Sequence, residues 1–321
     1  MSIYRGTFSI DTNFFRKLNG VYNIDKYTLI PCLITPKEQN SGCSKFILQF
    51  DFEGIEENIL DNSKQTMAFF NNSNKGNRMA ETFIAWFVTC TRSWARVSHS
   101  RTGSSMKYGP TSHQLLKNYD DKRLDKIFHV DRTSKIGNFF KIKRPNYDIP
   151  PKKNPLTLEL PEDIIALTKK LFSLREKEKN TFLDACFAYQ FALDNWGAYP
   201  TISIIALVSA IESLVADKYT SGVCNETGKK CSLKRDVMKK FREFFENNLQ
   251  YPLPPELIEF LNSVYSSRSK YVHKYLLGDV KTRGIFSIHS YLDSIKVKNE
   301  QEKLEQIVNA SLIEWLKRIK I

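Results

Sequence analysis

The sequence predicts an α+β protein in which a strand-rich mixed N-terminal domain is followed by an all-α helical bundle. Three observations predict it. The first sixty residues hold short runs rich in β-branched and aromatic side chains, separated by Asn, Gly and Ser clusters. Midway, five prolines (145, 150, 151, 155 and 161) fall within one short segment, which can form neither an unbroken helix nor a central strand. From Pro161 onward, apolar residues recur at helical spacing. The expected domains are residues 1–150 and residues 160–321. A chain of 321 residues, 41% hydrophobic and 12% aromatic, suffices for two such cores.

In the N-terminal half, "SIYRGTFSI", "YTLIPCLIT" and "KFILQFDFEGI" read as strands. "NNSNKGN" (71–77) reads as a loop. "AETFIAWFVTCTRSWARV" reads as a helix with Phe83, Phe87, Cys90 and Trp94 on one face. Residues 100–150 are polar, basic and poorly patterned.

In the C-terminal half, "PEDIIALTKKLFSLREKEK" opens with proline and acids in its first turn, a helix start signal. "TFLDACFAYQFALDNW" continues the helical pattern. "TISIIALVSAIESLVADK" is apolar almost all round, as the central helix of a bundle must be. "SLKRDVMKKFREFFENN" sets Leu233, Val237, Phe241, Phe244 and Phe245 on one side. "PPELIEFLNSVYSSRSKYVHKY" starts after two prolines. The last helix, "EKLEQIVNASLIEWLKRIKI", carries Leu304, Ile307, Val308, Leu312, Trp315 and Ile319.

The formal net charge is +13, and both halves share it: 22 Lys/Arg against 14 Asp/Glu in residues 1–150, and 26 against 21 in residues 151–321. That balance favours a polyanionic partner such as RNA over an acidic protein ligand. A lysine-rich soluble surface gives the same balance. The opening "MSIYRGTFSIDTNFF" has no continuous apolar run, so no secretory leader is expected. The longest apolar run contains Glu212 and reads as a buried helix rather than a membrane span. Six cysteines lie scattered without a disulfide spacing, which suggests a reduced, cytoplasmic setting.

One residue breaks its helix pattern. With Arg268 set at zero, Leu257, Leu261, Val264, Val272 and Tyr275 fall within about 40° of it on a helical wheel. Arg268 thus sits in the middle of an apolar stripe. A guanidinium stays charged, and burying it unpaired costs several kcal/mol. It needs a carboxylate, a phosphate, or an interface. Glu212, the lone acid of its apolar helix, is the evident carboxylate. His273, one of five histidines, lies about 140° away on a straight helix. The two converge only if the helix distorts or ends near Tyr271–Lys274, or across a two-fold axis. As a pair they have a chemistry. Imidazole exchanges a proton near neutrality, and a guanidinium offers a fork of donors to a phosphoryl group gaining charge. They suit attack of an RNA 2′-hydroxyl on the adjacent phosphate without metal. A dimer would supply two of each.

Residues 160–321 resemble the HEPN domain, in particular the ApeA-like kind of prokaryotic defence systems. The resemblance rests on "RSKYVH", Arg268 to His273, set in "VYSSRSKYVHKYLLGD" near the end of a bundle helix, with "ALVSAIESLV" upstream and an amphipathic helix last. It does not reach the N-terminal half. It implies a dimeric, metal-independent endoribonuclease without cofactor, a toxin in antiviral defence or abortive infection. Such a toxin cuts tRNA or other RNA and answers to a phage-derived trigger or an antitoxin. It makes Arg268 and His273 catalytic. The family often has Asn, Asp or His after the arginine, and Gly after the histidine; this chain has Ser269 and Lys274. "RSKYVHKY" also fits the Arg-x4-His-x-Tyr form of HepT-type toxins, whose tyrosine can be nucleotidylated, which makes Tyr275 a candidate regulatory residue. A tyrosine packed in the stripe is the plainer alternative. Lys270 and Lys274 flank the motif as RNA contacts.

A second basic stretch runs from Arg132 to Lys153, with Arg132, Lys141, Lys143 and Arg144 among seven basic residues against one acid, Asp148. Phe139, Phe140 and Tyr147 are interleaved, a pattern suited to single-stranded RNA. A solvated linker anchored by its rings fits equally. A non-catalytic RNA- or nucleotide-binding module, or a protein-interaction bundle, remains the alternative to the enzyme. Cys224 and Cys231 lack the further ligands that tetrahedral zinc needs, so no metal is expected.

Overall fold

A computed structural model describes residues 2–12, 18–32, 44–55, 62–98, 113–116, 134–140, 158, 160–215, 221–223, 230–232, 237–249, 252–274 and 288–320. The chain is an α+β protein. It divides into two compact units, Met1–Ile142 with Lys152–Lys169, and Lys143–Pro151 with Lys170–Ile321.

The first unit is built on an antiparallel sheet. Its strands are β1 (Ser2–Thr12), β2 (Tyr22–Ile24), β3 (Tyr27–Pro31), β4 (Ser44–Gly54), β5 (Ala95–Val97) and β6 (His113–Leu116). The order is β2-β3-β4-β1-β5, with β6 also pairing β1. β1 and β4 form the long central pair, in register from Ser2↔Gly54 to Thr12↔Ser44. Strict alternation puts Tyr4, Phe8 and Ile10 on one face with Phe46, Leu48, Phe50 and Phe52 of β4. Helix α1 (Asn62–Thr91) covers that face. Phe83 stacks on Tyr27 at 4.1 Å between centroids, and Phe87 meets Phe46 at 5.5 Å. Trp86 is fully buried, and its indole N–H donates to Thr168 at 2.8 Å.

Two expectations fail here. The "NNSNKGN" segment is not a loop but part of α1. Its polar residues mislead because the helix is held from outside itself. Ala68, Asn72, Gly76 and Ala80, spaced every four residues, form its narrow buried stripe. The Asn72 side chain clasps the end of β4. Its Oδ1 accepts from Ile55 N–H at 2.9 Å and its Nδ2 donates to Ile55 C=O at 3.0 Å. Gly54 lets it in, since a Cβ there would stand 2.6 Å from Asn72 Oδ1. Lys75 donates to Glu53 C=O at 2.7 Å. These tertiary contacts outweigh a weak intrinsic preference. At the other end the helix stops before Trp94. Arg92 adopts a left-handed φ of 54°, and Ala95–Val97 joins the sheet as β5.

In the second unit the helices are α3 (Glu176–Asp194), α4 (Pro200–Val215), α5 (Val237–Asn248), α6 (Pro255–Lys274) and α7 (Ile288–Arg318). A hairpin, β7 (Ser221–Val223) with β8 (Lys230–Ser232), is inserted before α5. The expected helix over 161–179 is two: α2 (Ile164–Ser173) ends at a break around Leu174–Arg175, where α3 begins. α4 is the central helix. Ten of its residues are buried, and it packs against α3, α5, α6 and α7. Ser203 ties it to α3 by donating to Ala192 C=O at 2.8 Å. Phe241, Phe245, Leu304, Ile307, Val308 and Leu312 are fully buried, as the apolar spacing of α5 and α7 requires. Phe182 stacks on Trp315 at 5.3 Å, and Tyr189 donates to the buried Glu305. No described helix is long and apolar enough to cross a membrane.

Candidate functional site

The apolar stripe of α6 begins as the spacing requires. Leu257, Leu261 and Val264 are 2%, 0% and 5% exposed. Four residues on, Arg268 occupies the next position of the stripe, and there the burial relaxes. Its side chain retains 23% of its exposure. Of the four stripe positions whose side chains are described, Arg268 alone is partly exposed.

Glu212 on α4 meets it. Arg268 Nη2 donates to Glu212 Oε2 at 2.7 Å, and the acid retains 20% exposure. The second carboxylate oxygen is also taken, because the Tyr265 hydroxyl donates to Glu212 Oε1 at 2.9 Å. Tyr265 lies three residues before Arg268, on the adjoining line of the same helix. Its ring packs on Phe241 of α5, with centroids 5.1 Å apart at 50°. Three helices therefore fix one carboxylate, and the carboxylate fixes one guanidinium. Arg268 Nε is buried and has no hydrogen-bond partner.

The sequence singles out Arg268 and Glu212, and the fold brings them together. It passes over Tyr265. The signal was the spacing: a hydroxyl at i−3 from a stripe arginine shares that arginine's partner. Ser269, Lys270, His273 and Lys274 belong to the last turns of α6, which stays α-helical to Lys274. No distortion intervenes between 268 and 273, so the two positions stand about 140° apart around the axis. Within one chain they do not share a face. Tyr275, Arg132, Lys141, Lys143 and Arg144 lie outside the described residues. Of the aromatics in the basic stretch, Phe139 packs edge-on against Tyr22 at 5.2 Å, and Phe140 N–H donates to Leu160 C=O at 2.8 Å.

Elsewhere in the second unit, a groove of about 570 Å³ runs between α3 and α4, lined by Phe187, Phe191, Ile202 and Ile205, with Asp194 the single charged residue. It stops at Ser209, short of Glu212, and its lining holds no Lys or Arg to meet a phosphate. No cluster of three or more His, Cys, Asp or Glu occurs among the described residues. Comparison with protein-family models, with curated proteins and with solved structures finds no match to this chain.

Proposed function

We infer that this chain is a HEPN-type, metal-independent endoribonuclease that works as a homodimer in the cytoplasm, as a toxin of antiviral defence. One observation carries the reading: a permanent cation continues the buried stripe Leu257–Leu261–Val264, paired with a carboxylate yet keeping 23% of its side-chain exposure. An arginine needed only to fill the stripe would be a leucine. One held at its end by Glu212 is aimed, with donors to spare.

The chemistry follows from the residues. One imidazole takes the proton of an RNA 2′-hydroxyl, and the 2′-oxygen attacks the adjacent phosphorus. The P–O5′ bond breaks, the imidazolium so formed returns its proton to the departing 5′-oxygen through water, and a 2′,3′-cyclic phosphate remains. Arg268 donates to the non-bridging oxygens as their charge grows. Because α6 is helical from Arg268 through His273 to Lys274, the arginine of one copy works with the histidine of its partner. The net charge of +13 suits the substrate. A phage-derived trigger or an antitoxin would govern when it acts.

The 2.7 Å ion pair also favours a second reading, in which Arg268 only ties α6 to α4. One experiment separates them. Wild type, Arg268→Ala and His273→Ala are incubated with total tRNA in EDTA. Fragments ending in 2′,3′-cyclic phosphate from wild type alone support the enzyme. Intact RNA with a retained gel shift supports a binding module. No interaction with RNA, together with a destabilised Arg268→Ala, supports the tie.

A further inference from the structure

The Arg268–Glu212 pair is closed by one prong only. Guanidinium and carboxylate are matched for two parallel hydrogen bonds. Here Nη2 reaches Oε2, while the buried Nε–H has no acceptor. A buried donor without a partner carries a cost, and Glu212 has a second oxygen on the same carboxylate to relieve it. That oxygen is engaged by Tyr265. The tyrosine is not free to swing away, for its ring is set against the fully buried Phe241. Its hydroxyl therefore fixes the rotation of the carboxylate, turning Oε1 toward the ring and away from Nε.

We propose that Tyr265 is a positioning residue that keeps the Arg268–Glu212 pair single-pronged, and so sets the angle at which the Nη edge of the guanidinium faces a substrate phosphate. This rests on the ribonuclease reading for its substrate, RNA, though not for its geometry. Glu212 is then a tether rather than a clamp. It sets where the guanidinium points without consuming its fork. Loss of the hydroxyl releases Oε1 to the buried Nε–H, the pair closes on both prongs, and the guanidinium plane turns with it, so that its Nη edge meets the phosphate out of line.

The test is Tyr265→Phe, which keeps the ring against Phe241, read in two ways. The first is the side-chain ¹⁵Nε–¹Hε resonance of Arg268, assigned by its disappearance in Arg268→Lys. A new bond to Glu212 moves it downfield in Tyr265→Phe, and an unmoved resonance overturns the proposal. The second is steady-state cleavage of tRNA. KM rises about tenfold, the weight of one charge-assisted contact, while kcat changes less. A merely structural role would instead lower the melting temperature and leave KM alone. If wild type cleaves nothing, the ribonuclease reading fails, and the resonance alone still decides what Tyr265 does. If Tyr265→Phe does not fold, the wild-type spectrum decides: an Arg268 Nε–H already shifted as in a two-pronged pair overturns the proposal, and one at the unbonded position upholds it.

Discussion

Arg268 and Glu212 depend on each other in a way that separates stability from activity. Both side chains are about four-fifths buried, so removing one leaves the other's charge poorly solvated. Glu212→Ala is expected to cost about 2 kcal/mol in urea unfolding. The double variant with Arg268→Ala should cost less than the sum of the singles, by about 1 kcal/mol. Additive losses would mean the two do not interact in solution. On the ribonuclease reading, the order reverses for activity. Arg268→Ala should lower cleavage about 10²–10³-fold, the effect of losing one donor to a developing oxyanion. Arg268→Lys should rescue little of it, because an ammonium on a flexible stem cannot be tethered and still present a fork. The arginine was legible in the sequence as a charge in an apolar stripe, and its carboxylate as the lone acid of α4. Tyr265 was not, because a tyrosine in an amphipathic helix breaks no pattern.

Among the elements, α1 shows where sequence patterning stops. Its C-terminal half announces itself through Phe83 and Phe87. Its N-terminal half is a polar run whose helix is secured by one asparagine. Asn72→Ala should cost about 1–2 kcal/mol, since it strands the N–H of Ile55 and leaves its C=O with the Tyr4 hydroxyl alone. Asn72→Asp should cost more. It keeps the acceptor but sets a carboxylate oxygen against the Ile55 carbonyl. Variants as stable as wild type in urea titrations would show that the clasp contributes nothing. The strands were legible because β1, β3 and β4 alternate or are buried on both sides. β5 was hidden by a helical reading that ran past Arg92, a residue whose left-handed conformation no periodicity betrays. In the same unit, burial raises the Tyr27 phenol well above the usual tyrosine range, with Asp25 adding to it. The folded form therefore holds its proton more tightly than the unfolded chain. The stability this contributes is whole below about pH 10 and is lost as pH rises through the folded value. Urea midpoints measured from pH 8 to pH 11.5 should fall at the alkaline end, and fall less steeply in Tyr27→Phe.

For the molecule as a whole, the helical bundle was legible almost helix by helix from Pro161. The cause is physical: a central helix apolar on every side, like α4, can only be surrounded. What the sequence left open was how positions 268 and 273 could cooperate; α6 is helical across both, so under the ribonuclease reading they meet across two copies. The proposal makes an arithmetic prediction. Arg268→Ala and His273→Ala are each inactive alone. Mixed in equal amounts and allowed to exchange, about half the dimers carry one of each chain, and one of their two sites is whole. About a quarter of wild-type cleavage should return. No recovery, with exchange verified by mass, would place both groups in one chain and contradict the course of α6.

If two copies share the site, as proposed, that course has a kinetic meaning for a cell. An apparatus shared between two molecules is idle at low abundance, and below the dissociation constant its output climbs with the square of the amount present. A modest rise in synthesis, or the loss of something that sequesters single chains, then acts as a steep ignition, with no lid, phosphorylation or proteolytic trimming required.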